Sequence, residues 1–145
     1  MKTYKIFTAG KMGGLTYKQQ MDWRNKIENL IASSTDKSVV FIHPPKYYQY
    51  CDNNVEQDIE SRIWETNQLK DCDIVIVDLR TIADSIGTHV ELGIVEAINT
   101  ISNKFVYVIG IGEPNIDHPW ISQSVFHRED TLEDAADYII NYLLV

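Results

Sequence analysis

The order of its apolar runs constrains the fold of this chain more than any other feature. Short runs rich in β-branched and aromatic residues alternate with longer segments of helical periodicity. The clearest run, 73–79, is apolar almost throughout, as expected of a strand that is covered on both faces of a sheet. The predicted strands are 4–8, 38–42, 73–79, 104–109 and 123–126, and the predicted helices are 16–33, 55–70, 86–102 and 131–144.

This alternation predicts one α/β domain over residues 1–145. Strands that alternate with helices favour a mostly parallel sheet with helices on both faces. We therefore expect a three-layer α/β/α fold of the flavodoxin or Rossmann-like type, with a five-stranded sheet. In such sheets ligands bind beyond the carboxyl ends of the strands, where the strand order reverses.

Helical spacing also predicts which side chains face the core. Trp23 and Trp64 lie in helical patterns and are predicted to be core residues. The predicted inward residues are Met21, Ile27, Leu30 and Ile31 in the first helix, Ile59, Ile63 and Leu69 in the second, and Val90, Ile94, Ala97, Ile98 and Ile101 in the third.

Composition bounds the class of protein. With 145 residues, 44% hydrophobic and 23% charged, the chain has the profile of one soluble globular domain. No apolar run approaches the roughly 20 residues that span a bilayer, and the N-terminus does not resemble a signal peptide. Cys51 and Cys72 have no metal-ligand spacing, so we expect reduced thiols. These features predict a cytoplasmic protein with no membrane partner.

The chain is acidic, with a formal net charge of −8 from 21 acidic and 13 basic residues. A surface of this sign repels the phosphate backbone of DNA or RNA, and no basic run offsets it. The charge therefore argues against a nucleic acid polymer as a partner. It does not argue against one small anion held by local donors.

The turn after the first predicted strand is rich in glycine. Gly10, Gly13 and Gly14 fall within five positions, and Lys11 lies among them. Such a turn can aim backbone N–H groups at an anion. The spacing matches neither the P-loop nor the dinucleotide fingerprint, and a flexible turn without a ligand explains the glycines equally well.

The segment after the third predicted strand carries most of the candidate chemistry. Asp78 ends a buried run, where a carboxylate is costly unless it is paired or used. Asp84 or Ser85 can cap the next helix, and Glu91 lies about one turn inside it, where it can project over the strand ends. Considered alone, two caps and a solvated acid account for the same residues.

A longer pattern in this region resembles a known family, the nucleoside 2-deoxyribosyltransferase superfamily, which includes the 2'-deoxynucleoside 5'-monophosphate N-glycosidases. The resemblance covers most of the chain in order and length. It implies that Glu91 is the nucleophile at C1' of the deoxyribose, and that Asp78 contacts the nucleoside and helps to protonate the leaving base. The residues that carry it are Ala9-Gly10, Asp78 and Ser85-x-Gly87-x-x-x-Glu91-Leu92-Gly93.

The resemblance also implies a substrate and a reaction. Relatives that act on free nucleosides usually carry Asp at the position of Ser85, whereas the monophosphate-hydrolysing branch carries Ser. The implied reaction cleaves the N-glycosidic bond of a deoxynucleoside or its monophosphate through a covalent glycosyl-Glu91 intermediate, which water or another base resolves. It needs no metal and no organic cofactor. The implied substrate-binding residues around the loop 11–15 and the helix start are Gly10, Lys11, Gly13, Gly14, Ser85 and Gly87.

One position departs from the family. A tyrosine near the end of the first strand often holds the nucleophile there, and the matching residue here is Phe7. Tyr4 or Tyr17 could supply the missing hydroxyl. His43 is a candidate for the base pocket, or else a structural residue of the turn. Family members are dimers or larger, so a homo-oligomer is implied, in which Asn115 of a neighbouring subunit helps to complete the site.

Other functions are weighed against this one. A non-catalytic module that binds a nucleotide in the same pocket is the main alternative, because Phe7 replaces the tyrosine. A phospho-acceptor receiver domain is disfavoured, because the turn 8–11 lacks the acidic residues that would hold its divalent cation. The aromatic segment 47–50 could stack on a base, form a lid or contact another subunit.

Overall fold

The computed structural model describes residues 1–48 and 55–145. The strands in this part of the chain are β1 (Thr3–Ala9), β2 (Ser38–Ile42), β3 (Ile74–Asp78), β4 (Tyr107–Ile111) and β5 (His127–Glu129). The helices are α1 (Tyr17–Ala32), α2 (Pro44–Tyr48), α3 (Val55–Asp71), α4 (Ile86–Ile101), α5 (Pro119–Ser124) and α6 (Leu132–Tyr138). A 3₁₀ turn, Ile82–Asp84, precedes α4, and a π-helical turn, Ile139–Leu143, continues α6.

The strands form a parallel sheet in the order β2-β1-β3-β4-β5. Strand β3 lies at its centre and is buried at every position, which explains why its sequence shows no polar alternation. Helices α1 and α6 pack on one face, and α3, α4 and α5 pack on the other. The predicted three-layer α/β/α fold of flavodoxin-like type is thus confirmed. The strand order reverses between β1 and β3, which is where such sheets bind ligands.

Two elements differ in kind from the prediction. The predicted strand 123–126 overlaps the end of α5, and the fifth strand is His127–Glu129 instead. Helix α5 forms because Pro119 opens it and His118 accepts a hydrogen bond from the backbone N–H of Trp120. The prolines after β2 predicted only the end of that strand, yet they begin helix α2.

The predicted inward face of α4 is confirmed only for Ile94 and Ile98, which are half-buried against the core. Val90 is 55% exposed and Ile101 is 84% exposed, whereas Glu91, Leu92 and Val95 are buried. This helix is apolar around most of its circumference, so its packing against the sheet, α3 and α5 selects the buried face. A carboxylate therefore lies on the inward side of the helix.

The other two predicted faces are confirmed in part. In α1 the expected residues are buried or half-buried, and in α3 Leu69 is fully buried, but Ile59 and Ile63 are exposed. Trp23 and Trp64 are half-buried. No helix within 1–48 and 55–145 is long and apolar enough to cross a membrane.

Burial also determines the state of one cysteine. Cys72 is a free thiol inside the core, and burial raises its pKa to about 12, so the thiol stays protonated. Cys51, the other predicted thiol, lies outside the described residues, as do Gln49 and Tyr50 of the aromatic segment.

Candidate active site

A cavity of about 300 Å³ opens between the loop after β1 and the first turn of α4. A second cavity of about 280 Å³ adjoins it between α3 and α4. Among the residues that the structure describes, the two cavities share Tyr48, Glu65, Gly87 and Glu91. The cavities therefore meet at two glutamates, at the edge of the sheet where the reversed strand order predicts a ligand site.

A third cavity, of about 240 Å³, lies on the other side of α4, against α5. Its described lining is mostly apolar and includes His89, His118 and Trp120, but no carboxylate. The first two cavities are thus better suited to acid-base or nucleophilic chemistry.

Glu91 is a buried carboxyl group on the inward face of α4. It lies one turn after Thr88 and one turn before Val95, and its side chain joins the two cavities. Burial raises the pKa of Glu91 well above its ordinary value, and the adjacent Glu65 carboxyl raises this pKa further, whereas the charge of Arg24 opposes the rise. Glu91 thus keeps its proton at a pH where an exposed glutamate is ionised, and a neighbouring carboxyl group contributes to this.

Glu65 is that neighbour, and the sequence analysis missed it. Its carboxyl group raises the pKa of Glu91 and accepts a hydrogen bond from the hydroxyl of Tyr48. Glu65 lies exactly one helical turn before Leu69, the residue of α3 that was correctly predicted to face the core. A charged side chain at an inward position was therefore the signal that could have identified it.

Arg24 is the cation of the site and was not predicted either. It is fully buried in α1, lines the first cavity and lies over the Trp23 ring, 4.7 Å from the ring centroid. Burial lowers its pKa to about 10, and the charges of Glu91, Asp78 and Glu65 oppose this shift, so the guanidinium remains charged at neutral pH.

The predicted anion-binding residues lie mostly in the first cavity. Lys11 and Gly13 line one side of it, and Ser85 and Gly87 line the other. The Ser85 hydroxyl is 2.5 Å from that of Thr88. Gly10 also lines the cavity, whereas Gly14 is absent from its described lining.

A close approach explains the glycine at position 10. A Cβ added there would lie 2.9 Å from the Trp23 ring and 3.3 Å from the Cβ of Asp78. Any side chain at Gly10 would therefore force the loop away from the sheet and reshape the cavity.

The geometry does not bring Asp78 into either cavity. One of its oxygens accepts hydrogen bonds from the backbone N–H and Nε of Arg80, at 3.0 and 2.9 Å, and the other accepts one from Nη2 at 3.1 Å. This carboxylate is committed to a neighbouring guanidinium because it ends a buried strand, where it needs a partner. The role that the family resemblance implies for Asp78 stays a prediction.

Two other predicted binding residues are also absent from the cavity lining. Phe7 is fully buried in the core beneath α3 and α4. His43 is buried behind the site, where Nδ1 is 2.8 Å from the Thr8 hydroxyl and Nε2 is 2.8 Å from Glu28. These contacts fit the structural reading of His43 better than the base-pocket reading.

The remaining candidates have contacts elsewhere. Asn115 accepts a hydrogen bond from the backbone N–H of Ala83 at 2.8 Å, beside the 3₁₀ turn. Tyr4 donates to the carbonyl of Val145, and Tyr17 is exposed. Neither tyrosine lines the cavities, so the hydroxyl that reaches the carboxyl pair comes from Tyr48 of α2. Among residues 1–48 and 55–145, no three His, Cys, Asp or Glu side chains are grouped to hold a metal ion.

The burial of the Glu91 carboxyl group makes the stability of the fold depend on pH. Between pH 4.5, the ordinary pKa of Glu91, and its raised value, the folded state holds a proton that the unfolded state has lost. The free energy of unfolding therefore falls by about 1.4 kcal/mol per pH unit through this window. We expect Glu91→Gln to remove this loss, so that its stability relative to wild type grows as pH rises.

Urea unfolding of both proteins across the window measures this difference. Glu96→Gln is the matched control, because Glu96 is an exposed acid of the same helix. A stability difference between Glu91→Gln and wild type that is constant with pH would contradict the raised pKa of Glu91.

Comparison with known proteins shows a similarity of fold without a significant match of sequence. No family profile matches the sequence, and no curated protein matches it significantly. The chain is similar to a 2-deoxyribosyltransferase from the psychrotolerant bacterium Bacillus psychrosaccharolyticus, with a TM-score of 0.69 and 17% identity, over 92% of this chain and 91% of that one. A lysine decarboxylase from Francisella novicida aligns with a TM-score of only 0.44 and 11% identity, over 93% of this chain and 16% of that one, and carries no argument. The chain thus shares the three-layer α/β/α fold of the deoxyribosyltransferase.

Proposed function

We propose that the protein cleaves the N-glycosidic bond of a 2'-deoxynucleoside 5'-monophosphate or of the free deoxynucleoside. The observation that carries the proposal is the adjacent pair of Glu65 and Glu91 at the junction of two cavities. The similarity of the fold to a 2-deoxyribosyltransferase and the motif around Glu91 support the same chemistry.

In the proposed mechanism Glu91 passes its proton to Glu65 when the substrate binds, so that Glu91 is the nucleophile and Glu65 is the acid. An oxygen of Glu91 bonds to C1' as the bond from C1' to the base breaks, and the departing nitrogen takes the proton from Glu65. In the second half, Glu65 takes a proton from water, whose oxygen bonds to C1' and releases Glu91. Another base in place of water gives transfer instead of hydrolysis. No metal or cofactor enters these steps.

The two cavities suggest how a nucleotide lies across the pair. With C1' of the sugar beside Glu91, a 5'-phosphate fits the first cavity, against Lys11, Ser85 and the start of α4. The base fits the second cavity between α3 and α4, where Val90 and Ile94 contribute apolar surface. Glu65 lies at the junction of the two cavities, where its proton can pass to the departing base.

A non-catalytic nucleotide-binding module is the alternative. The observation that favours it is Phe7, which is buried in the core and offers no hydroxyl to the nucleophile. This alternative retains the same cavities and predicts binding without release of free base.

A homo-oligomer stays a prediction. Apolar side chains are exposed along α3 and α4, including Ile59, Ile63, Ile86 and Val90. Burying them against a second copy would explain their exposure. Asn115 of a neighbour would then approach the site, as the family resemblance implies.

We expect a deoxynucleoside 5'-monophosphate to be a better substrate than the free nucleoside. The Ser85 hydroxyl and the N–H groups at the start of α4 can donate to the phosphate. In Ser85→Asp the donor is lost and a like charge is introduced, which costs the monophosphate about 2 kcal/mol, or about 30-fold in kcat/KM. Assays of released base from a panel of deoxynucleosides and their monophosphates measure the effect.

Ser122→Asp, an exposed change in α5, is the control for added charge. Equal efficiency for both substrate classes, unaltered by Ser85→Asp, would assign the protein to free nucleosides. Release of base from no substrate of the panel would favour the binding module.

A further inference from the structure

Arg24 is a fully buried cation, and within the part of the chain that the structure describes its hydrogen bonds all go to neutral groups. Its Nε donates to the Thr8 hydroxyl at 3.1 Å, its Nη2 donates to the carbonyl of Gly10 at 3.2 Å, and its Nη1 donates to the carbonyl of Gln20. Among the side chains that the structure describes, no ion pair involves Arg24. Burying an arginine without a direct carboxylate partner costs free energy. We therefore expect the charge of Arg24 to have a functional reason.

The charge of Arg24 is directed toward the carboxyl pair. Arg24 lines the same cavity as Glu65 and Glu91, and Glu91 is the carboxylate that acts on its guanidinium most strongly, ahead of Asp78 and Glu65. Before the reaction the carboxyl pair holds a proton, so its negative charge only partly compensates the positive charge of Arg24. When Glu65 gives its proton to a leaving group, the pair becomes more negative, and this cation then stabilises it.

A chain of hydrogen bonds behind the cavity fixes the guanidinium. Burial lowers the pKa of His43, as do the charges of Lys46 and Arg24, while Glu28 opposes the shift. A neutral His43 donates from Nε2 to Glu28 and accepts at Nδ1 from the Thr8 hydroxyl. Because Thr8 donates to His43, its lone pairs are left to accept from Nε of Arg24. The chain therefore determines the direction in which Arg24 donates.

We propose that Arg24 is a positioning residue that stabilises the ionised Glu91 carboxylate, with its own orientation set by Thr8 and His43. The assignment rests on the function proposed above and deepens it. In the family that the sequence resembles, a tyrosine hydroxyl near the end of the first strand often holds the nucleophile. Here β1 offers Phe7, which lies in the core, and Arg24 holds the Glu91 carboxylate instead. It acts through Glu91 and forms no bond to the substrate.

The ionisation of the carboxyl pair in the substrate-free protein tests this assignment without any assay of activity. The described titratable and charged groups that line the two cavities with Glu91 are Glu65 and Arg62 of α3, Arg24 of α1 and Tyr48 of α2, with Lys11 and Asp84 in the first cavity. Glutamate labelled with carbon-13 at the carboxyl carbon reports the pair by NMR, and Glu65→Gln and Glu91→Gln assign its signals.

We expect Arg24→Met to shift ionisation of the pair to higher pH, because the nearby cation is lost. Arg24→Lys should keep it close to wild type, and Thr8→Val, which removes the acceptor of Nε, should give a smaller upward shift. Arg128→Met is the control, because Arg128 pairs with Asp130 and Glu113 at the end of β5. Where Arg24→Met does not fold, Thr8→Val and Arg24→Lys carry the test. Unchanged titration in every folded variant of Arg24 and Thr8 would overturn the proposal.

Kinetics separate a positioning role from contact with a phosphate. We expect Arg24→Met to lower kcat by about 10²-fold for nucleoside and monophosphate alike, with little change in KM, and to move the acid limb of the pH profile upward. Arg24→Lys should restore most of the activity. A loss confined to KM for the monophosphate would assign Arg24 to phosphate binding and overturn the positioning role.

Discussion

Glu91→Gln is expected to abolish the release of free base while leaving the fold intact. Glutamine keeps the shape and the hydrogen-bonding capacity of the side chain but cannot bond to C1' as a carboxylate does. Loss of a covalent nucleophile commonly lowers kcat by about four orders of magnitude or more. The buried position of Glu91, between Thr88 and Val95 on the inward face of α4, means that water or another acid cannot readily take its place.

The experiment compares wild type, Glu91→Gln and Glu96→Gln with the substrate that wild type cleaves best. Glu96 is exposed on the same helix, so its change should leave kcat and KM near wild type. Mass spectrometry of rapidly quenched wild type should show the added mass of the deoxyribosyl group, and Glu91→Gln should not. Retention of wild-type activity by Glu91→Gln would refute the nucleophile, whereas tight binding of a nucleotide without turnover by either protein would favour the binding module.

The fold could be predicted from the sequence because its signal is redundant. Each of the first four strands is a short run rich in β-branched residues, and the alternation with helices limits the topology to a parallel sheet that is covered on both faces. Strand β2 was predicted at its observed bounds, and β1 and β3 were predicted to within two residues. Near the C-terminus the signal is weaker, because β5 has only three residues and contains no β-branched side chain.

The orientation of α4 could not be predicted, for a physical reason. Apolar residues occur on nearly every side of this helix, and periodicity therefore does not identify a single buried face. The polar residues Thr88 and Glu91 line the first cavity. Ile86 and Ile101 are exposed, although helical periodicity would assign apolar residues at these positions to the core. The inward face of α4 is therefore polar where it lines the first cavity.

The composition of the site was predictable only where a local motif carried it. Glu91 belongs to such a motif, as do Ser85 and Gly87, and all three line the first cavity. Glu65, Arg24 and Tyr48 come from three other helices. Glu65 lies about one turn before the inward Leu69, which is a weak signal, and nothing in the local sequence distinguishes Arg24 or Tyr48 from surface residues. Their convergence is a property of the tertiary packing of α1, α2 and α3 around the end of β1.

Glu65→Gln is expected to lower kcat/KM by about 10²- to 10⁴-fold, with the largest loss for bases that leave poorly without protonation. Glutamine preserves contact with Glu91 but has no proton of suitable acidity for the departing nitrogen. Asp78→Asn is the matched comparison, because Asp78 was the acid implied by the family resemblance, although its oxygens are bound to Arg80. We expect Asp78→Asn to cause a smaller loss that is uniform across bases. The measurement is the dependence of kcat/KM on the acidity of the leaving base in the three proteins. A steeper dependence for Asp78→Asn than for Glu65→Gln would return the acid role to Asp78, and a uniform loss in Glu65→Gln would make Glu65 a residue that orients Glu91 without donating the proton.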